Sequence, residues 1–455
     1  VNQLRPDQIE DLALLISNPK FMLLNEPGTG KTPTACVYTE YLVTRMNMGV
    51  IWLQPLSIME KNRDELIKWT GLRCAMVTTN DVPDDVDVLL MGPERFRRVW
   101  QDIPKRFKAI IGDEWHMMFG GATSARTTAL FDFMRRQGTH VLPMTGTLIN
   151  GKLDTAFPAV QLIEPRYYGD YSQFCNYHHD VDPWTGKLAG YRNHQKLRSI
   201  MLQHGQRRTF EDVYGPEAKI IQIESVSLLP AQREMYETFE EQAYLELEKF
   251  VIDGTLPGTA FIRSRQILEH PNNFPDLTNP KAPPIDILAG EISGKEERLE
   301  IHFQDHLNTG EPLVVFSALM PQQRRILEQA NRMGLRFRLI NSTVLPSERA
   351  RIDEQFRAGA LDGIVCSPQC ASVGFNWQLL NGKEIEHVIF ASIDFMDTSF
   401  IQAYRRFIRG KRQRPLRITM LRYRDTIEDR IYQIVEQKSQ EAYLVDETRP
   451  VLELS

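Results

Sequence analysis

The sequence predicts an α/β protein of two parallel-sheet domains with a helical insertion between them, and three observations carry that reading. Short apolar strands alternate with helical stretches over residues 1–165, the same alternation resumes near residue 311, and the chain between 166 and 285 loses it. Parallel strands need crossover connections, usually helices, so the alternation points to doubly wound sheets rather than to a bundle or a sandwich. A chain of 455 residues has room for two or three such domains. The expected division is 1–165, a first domain; 166–285, a helical insertion and linker; and 286–455, a second domain.

In the first domain the expected strands are Phe21–Leu24, Gly49–Leu53, Val86–Met91, Ala109–Gly112 and His140–Thr145, with helices over Thr32–Arg45 and Leu56–Trp69. The insertion is rich in aromatic and His residues, and 234–250 has a dense acidic-apolar helical pattern. The stretch PNNFPDLTNPKAPP (271–284) reads as a linker. Strands are expected again at Leu313–Ser317, Arg336–Ile340, Gly363–Cys366, His387–Ala391 and Leu416–Leu421.

Hydrophobic residues at 42% and charged residues at 25% are the balance of an ordinary globular protein. Lys+Arg number 54 against 59 Asp+Glu, a formal charge of −5, which excludes a uniformly basic nucleic-acid protein but not a local basic face. No apolar run approaches a membrane span, and the N-terminus lacks the basic-then-apolar pattern of a secretory signal. Five scattered cysteines suggest reduced thiols. The expectation is a soluble cytoplasmic protein, of a bacterial cell or a virus-infected bacterial host.

Three motifs carry chemistry. FMLLNEPGTGKTPTACVY (21–38) places a strand, a glycine-containing loop and a helix in succession. Such a loop turns backbone N–H groups toward phosphates at the positive end of the helix. Lys31 would reach the β/γ-phosphates and the Thr32 hydroxyl would ligate Mg²⁺. The strict pattern wants glycine at 25, where Asn25 stands, and the alternative is a helix cap that happens to contain GKT. AIIGDEWH (109–116) ends an apolar strand in two carboxylates. Asp113 can hold Mg²⁺ and Glu114 can position and deprotonate water; a lone DE would otherwise be an exposed turn. QAYRRFIRGKRQRP (402–415) sets Gln402, Arg406 and Arg409 on one helical face, suited to an arginine finger on the γ-phosphate or to a solvated basic helix. From Arg405 to Arg430 there are ten Lys/Arg against three Asp/Glu, a plausible nucleic-acid face.

In this order the signals resemble the helicase-like ATPases of superfamily two, and within it the Swi/Snf-like branch, over nearly the whole chain. LRPDQ (4–8) resembles the adenine-recognising motif, NEPGTGKT (25–32) the phosphate loop and LQPLSIMEKNRDELIKW (53–69) the next motif. DEWH (113–116) matches the DExH box, and MTGTLINGKLDTAFPAVQLIEP (144–165) resembles the coupling motif around Thr145, Gly146 and Thr147. SRQILEHP (264–271) is similar to the branch-specific segment ending in His-Pro. SGKEERLEIHF (293–303), VVFS (314–317) and NSTVLPSERARIDEQF (341–356) resemble the opening of the second motor domain. ASVGFNW (371–377) resembles motif five and QAYRRFIRG motif six. Gly410 follows Arg409 directly, where one residue usually intervenes before the glycine, with Gln413 displaced, and Val373 to Asn376 lacks the common paired glycines.

The resemblance implies two RecA-like motor domains that close on ATP and step along nucleic acid. It implies catalytic roles for Lys31, Asp113, Glu114, Arg406 and Arg409. ATP contacts fall to Arg5, Gln8, Gly28, Thr29, Gly30, Lys31, Thr32, Gly374 and Asn376, with Mg²⁺ on Thr32 and Asp113. DNA contacts, mainly to phosphates, fall to Ser57, Arg95, Thr147, Asn341, Ser342 and Arg349. Trp377 is read as core in preference to a base-stacking residue. Because the motor takes up nearly every residue, the expected activity is that of a translocase or helicase on duplex, forked or four-way DNA. The alternatives are a general duplex translocase working with a partner, an RNA helicase and a catalytically dead scaffold. A protein partner, if there is one, falls to the helical insertion, although a solvated face is the simpler reading of the acidic helix 234–249. Cys175, His178 and His179 with His194 or His204 lack paired zinc-ligand spacing and are read as structural or surface residues.

Overall fold

The computed structural model describes residues 3–146, 148–149, 152–253, 258–279, 281–371, 375–394, 397–408, 412–445 and 452. Backbone contacts divide the chain into two units. The first holds Val1–Val181, Gly190–Pro216 and Glu441–Pro450; the second holds Asp182–Ala189, Glu217–Gln440 and Val451–Ser455.

In the first unit the strands are β1 (Met22–Leu23), β2 (Gly49–Leu53), β3 (Cys74–Met76), β4 (Val88–Met91), β5 (Phe107–Asp113) and β6 (His140–Met144). Beyond them lie β7 (His179–Val181) and β8 (Leu188–Tyr191), a separate two-stranded ribbon whose outer residues Asp182–Ala189 are counted with the second unit, and then β9 (Gly205–Gln206). The main sheet has the order β3-β4-β2-β5-β6-β1-β9 and every pair is parallel. Its central strands are apolar without alternation (GVIWL, VLLM) and buried on both faces, as expected when crossover helices cover both sides. One face packs Ile51, Leu89, Ile110, Phe96 and Phe133; the other packs Val50, Trp52, Leu90, Ile111 and Leu42.

The second unit contains β10 (Lys219–Val226), β11 (Leu313–Phe316), β12 (Phe337–Ile340) and β13 (Gly363–Cys366). A short antiparallel pair follows, β14 (Leu379–Leu380) with β15 (Lys383–Glu384), and then β16 (His387–Phe390) and β17 (Leu416–Tyr423). The order is β10-β17-β16-β11-β13-β12, again all parallel. The predicted α/β class with two parallel sheets is therefore what the chain adopts.

Two departures concern residues 166–285. The segment is divided between the units, because Gly205–Gln206 hydrogen-bonds onto β1 while Lys219–Val226 pairs along its whole length with β17. The sequence KIIQIESV places polar residues among its apolar ones, which suits an edge strand with a half-buried face and hides it among helical neighbours. The stretch expected as a linker is also tied down. Phe274 is buried, and its backbone exchanges hydrogen bonds with Ile285 at 2.9 and 2.6 Å. No helix among the described residues is long and apolar enough to cross a membrane.

Candidate functional site

The loop between β1 and the helix Lys31–Thr44 is fixed by its carbonyls. The Tyr214 hydroxyl donates to the Gly28 carbonyl at 3.2 Å, the Arg5 guanidinium to that of Thr29, and the Gln8 amide to that of Gly30 at 2.9 Å. In a trans peptide the C=O and the following N–H point opposite ways. The Gly30 and Lys31 N–H groups therefore turn to the other side, together with the helix's first-turn N–H groups, which have no intrahelical acceptors. That is an anion-binding arrangement. Gly30 takes φ +91°, a conformation that strains any side chain, and an added Cβ would displace the Gln8 amide. Gln8 in turn accepts from the Arg5 N–H at 2.9 Å, closing the turn that opens the helix Pro6–Ser17.

Asn25, where the strict pattern has glycine, is not at a positive φ. Its amide donates to buried Asp11 at 2.6 Å, and Asp11 accepts from Arg208 at 2.8 Å. The Lys31 ammonium donates to the carbonyls of Asn25 (2.7 Å) and Glu26 (3.2 Å), which holds it at the mouth of the loop. Thr32 lies half-buried in the helix's first turn.

Asp113 ends β5, and its carboxylate accepts from Asn62 at 3.0 Å and from the Glu114 N–H at 3.1 Å. Burial and the neighbouring Glu114 raise the Asp113 pKa above the ordinary carboxylate value, against the opposing pull of Asn62 and Lys31. Glu114 adopts the left-handed conformation, φ 52° and ψ 51°, at the start of the helix Trp115–Phe119. Its Oε2 is buried without a hydrogen-bond partner, 3.7 Å from His116 Nδ1. His116 Nδ1 lies 2.7 Å from the Thr145 hydroxyl, and Gly146 packs so closely on Pro27 that a Cβ would come within 2.5 Å. These are the features that a nucleotide with its divalent ion requires. A buried carboxylate beside the loop can hold the ion, a cation sits at the loop's mouth, and an orphaned carboxylate oxygen is ready to accept from water.

Four residues of this site escaped sequence reasoning: Asn62, Arg207, Arg208 and Tyr214. Arg207 forms a buried ion pair with Glu26 at 3.1 Å and donates to the Gly146 carbonyl at 3.1 Å. For the segment that holds the last three a signal was present, since Thr209 and Asp212 form a capping box ahead of the helix Phe210–Tyr214.

In the first unit Ser57 is exposed in the turn Leu56–Ile58, and Arg95 donates to Asn80 and the Thr78 carbonyl. In the second unit Asn341 is buried, donating to Gln323 at 2.8 Å and accepting from Thr343. Ser342 is exposed, and Arg349 donates to the carbonyls of Val344 and Ser342. Asn376 is exposed, while Trp377 is core, stacked on Phe375 at 4.7 Å and donating to Asp353 at 2.8 Å.

The shared helical face of Gln402, Arg406 and Arg409 needs correcting for Arg406. The helix Asp397–Tyr404 ends before it, and its N–H reaches Ala403 rather than the residue four back, so the chain tightens into a turn. Arg406 there is buried, 3.5 Å from the Phe375 carbonyl. Thr147, Val373, Gly374, Arg409 and Gly410 lie outside the described residues. Asp154, Cys175 and His179 come close together, but Asp154 accepts from Tyr171, Tyr191 and His179. His178 lies 2.6 Å from the Tyr168 hydroxyl and His204 3.0 Å from that of Tyr167.

Residues 9–273 match the SNF2-related domain. The chain is 24% identical over 458 residues to the chromodomain-helicase-DNA-binding protein 1-like of Danio rerio, covering 94% of this chain and 42% of that protein. It is 22% identical to the DNA repair and recombination protein RAD54B of Mus musculus, covering 95% and 55%. The chain thus spans about half the length of these curated relatives. Among solved structures it resembles in fold the Pyrococcus furiosus Hef helicase domain, with a TM-score of 0.54, 15% identity and coverage of 95% and 98%. The Sulfolobus solfataricus SWI2/SNF2 ATPase core in complex with dsDNA matches with a TM-score of 0.43 at 20% identity, covering 100% and 98%.

Proposed function

The chain belongs to the SNF2-related family, and from that premise we propose that it is a DNA-dependent ATPase that translocates on duplex DNA and remodels branched forms, unwinding or migrating forks and four-way junctions. The observation that carries the reading is the loop Gly28–Gly30, whose three carbonyls are drawn back by Tyr214, Arg5 and Gln8 beside Lys31, Asp113 and Glu114. Thr32 and Asp113 are the residues that would hold Mg²⁺, which when bound neutralises phosphate charge. Lys31 and the loop N–H groups bind the β- and γ-phosphates, Asn62 orients the Asp113 carboxylate, and the free Glu114 oxygen accepts from the attacking water. Arg406 and Arg409 are assigned to transition-state charge, and Gly374 and Asn376 to the nucleotide.

Ser57, Arg95, Thr147, Asn341, Ser342 and Arg349 are assigned to the DNA track. The part of the reading that concerns branched DNA rests on the relative that is named for repair and recombination. The test is steady-state ATP hydrolysis with no nucleic acid, single-stranded, duplex, forked and four-way DNA, and RNA. Stimulation by forks and junctions above plain duplex is the expected outcome. Equal stimulation by any duplex would reduce the reading to a general translocase directed by a partner, and a preference for RNA would replace it.

A further inference from the structure

Trp184 is 92% exposed, more than any other large hydrophobic side chain described; Leu56 and Leu345 follow at 70%. Single exposed aliphatic residues need no explanation, but an indole this exposed on a rigid mount does. The turn that carries it is tied by five hydrogen bonds. Asp182 Oδ1 accepts from the Trp184 and Thr185 N–H groups at 2.8 Å each, the Asp182 carbonyl accepts from Gly186 at 2.9 Å, the Asp182 N–H donates to the Lys187 carbonyl at 2.9 Å, and Thr185 Oγ1 accepts from the Lys187 N–H at 3.4 Å. Pro183 fixes its own φ ahead of the indole, and Gly186 takes φ +68°. The backbone beneath the ring is therefore fixed, which leaves only the two side-chain torsions of the indole to be ordered on binding.

The two legs of the ribbon share an anchor. His179 on β7 donates to Asp154 Oδ1 at 2.8 Å and the Tyr191 hydroxyl on β8 to Oδ2 at 2.7 Å, with Tyr171 as a third donor to Oδ1. Burial alone would raise the Asp154 carboxyl, but Tyr171, Tyr191 and His179 outweigh it and hold the group ionised below its ordinary range. Asp154 lies in the short helix Leu153–Ala156, at the end of the segment that begins with Thr145 and Gly146 beside the nucleotide loop. The ribbon is thus fastened to the element that follows the nucleotide site. The ribbon itself carries Lys187 against Asp180 and Asp182, and it is the chain just after it, with Arg192, Lys196 and Arg198, that favours an anionic partner. Between residues 176 and 200 stand four Lys/Arg against two Asp, and the carboxylate of one of these, Asp182, is turned onto the turn's own backbone.

We propose that Trp184 is a stacking platform for an unpaired nucleobase, where the strands of a branched DNA part. The proposal rests on the reading of this chain as a branched-DNA motor and names the element that engages the junction. Any base offers a π-face to an indole, so the contact is indifferent to sequence, while Lys187 at the same exposed tip meets the phosphates.

The test uses the full chain and its W184A and W184F variants, with a fork carrying 2-aminopurine at the first unpaired position. Wild type is expected to quench the probe on binding, W184F partly and W184A not at all, with fork affinity lower by on the order of tenfold. Plain-duplex-stimulated ATP hydrolysis is expected to be unchanged in all three. Equal quenching and equal fork affinity in W184A overturn the platform while leaving the motor reading intact. A wild type that quenches the probe yet hydrolyses ATP indifferently to DNA supports the platform and overturns the motor instead.

Discussion

Each unit holds a cluster of buried charge, and the two are built in opposite ways. Around Lys295 the charges balance. Its ammonium donates to Glu428 at 2.6 Å and to the Ala391 carbonyl at 2.8 Å, and lies 3.4 Å from Glu269, which Arg265 also approaches at 3.3 Å. The remaining oxygen of Glu428 accepts from the Tyr423 N–H at 2.7 Å, and Gln322 donates to Glu269. Around Asp113 they do not balance. Two adjacent carboxylates have Lys31 as the cation acting on Asp113, a neutral Asn62 as the direct donor, and one oxygen of Glu114 with no donor at all. A balanced buried cluster fixes packing, and losing one member strands the others. An unbalanced one is costly as structure and is the mark of a site that completes itself with a ligand.

Glu114→Gln removes the free acceptor oxygen and should lower ATP turnover by roughly a thousandfold, with ATP affinity and the melting temperature close to wild type. Normal turnover in single-turnover kinetics would remove Glu114 from its role. Lys295→Met should do the reverse, destabilising the second unit by about 3–5 kcal/mol, because two buried carboxylates lose their shared cation. Denaturant unfolding measures it, and a variant as stable as wild type but dead in hydrolysis would mean that this cluster, too, is functional.

Gly30→Ala should cost about 1–3 kcal/mol from the positive φ, and it should push the Gln8 amide from its place. It should also weaken the binding of a fluorescent ATP analogue; unchanged affinity would show that the loop's backbone geometry is not what binds phosphate. The smallest effect is in pH. His387 stacks on His306 in the second unit, and burial, Arg417 and His306 push its pKa down to about 2. Its folded value lies below the unfolded one of about 6.5, so the unfolded chain takes up the proton first. The stability contribution is whole above that value and is lost as pH falls toward 2. Melting temperature should fall between pH 7 and 5, and His387→Gln should flatten part of that fall; parallel profiles would assign the loss to other groups.

Much of the proposed nucleotide site was legible because its chemistry is local. Gly28 to Thr32 are consecutive and Asp113 and Glu114 adjacent, and each lies where an apolar strand ends, so periodicity and residue type sufficed to find them. What the sequence concealed came from far along the chain. Tyr214, Arg207 and Arg208 reach Gly28, Glu26 and Asp11 across some 180 to 200 residues, and no local pattern encodes such a distance. The strand Lys219–Val226 was hidden for a related reason, since its apolar and polar residues are mixed and its identity comes from β17, which lies almost 200 positions away.

The two parallel sheets, the glycine-bearing loop before the helix Lys31–Thr44 and the paired carboxylates at a strand end could be read from the sequence, because continuous apolar strands, a glycine-bearing turn and a helix start are written within a few residues of one another. Only the tertiary structure decided where the first unit ends, that Arg406 leaves its helix, that the loop's carbonyls are held by Arg5, Gln8 and Tyr214, and that Trp184 stands alone at the tip of an anchored ribbon. Those outcomes depend on which distant hydrogen-bond partner or packing surface is within reach once the chain has folded. Long-range proximity is a property of the folded chain that no window of sequence contains.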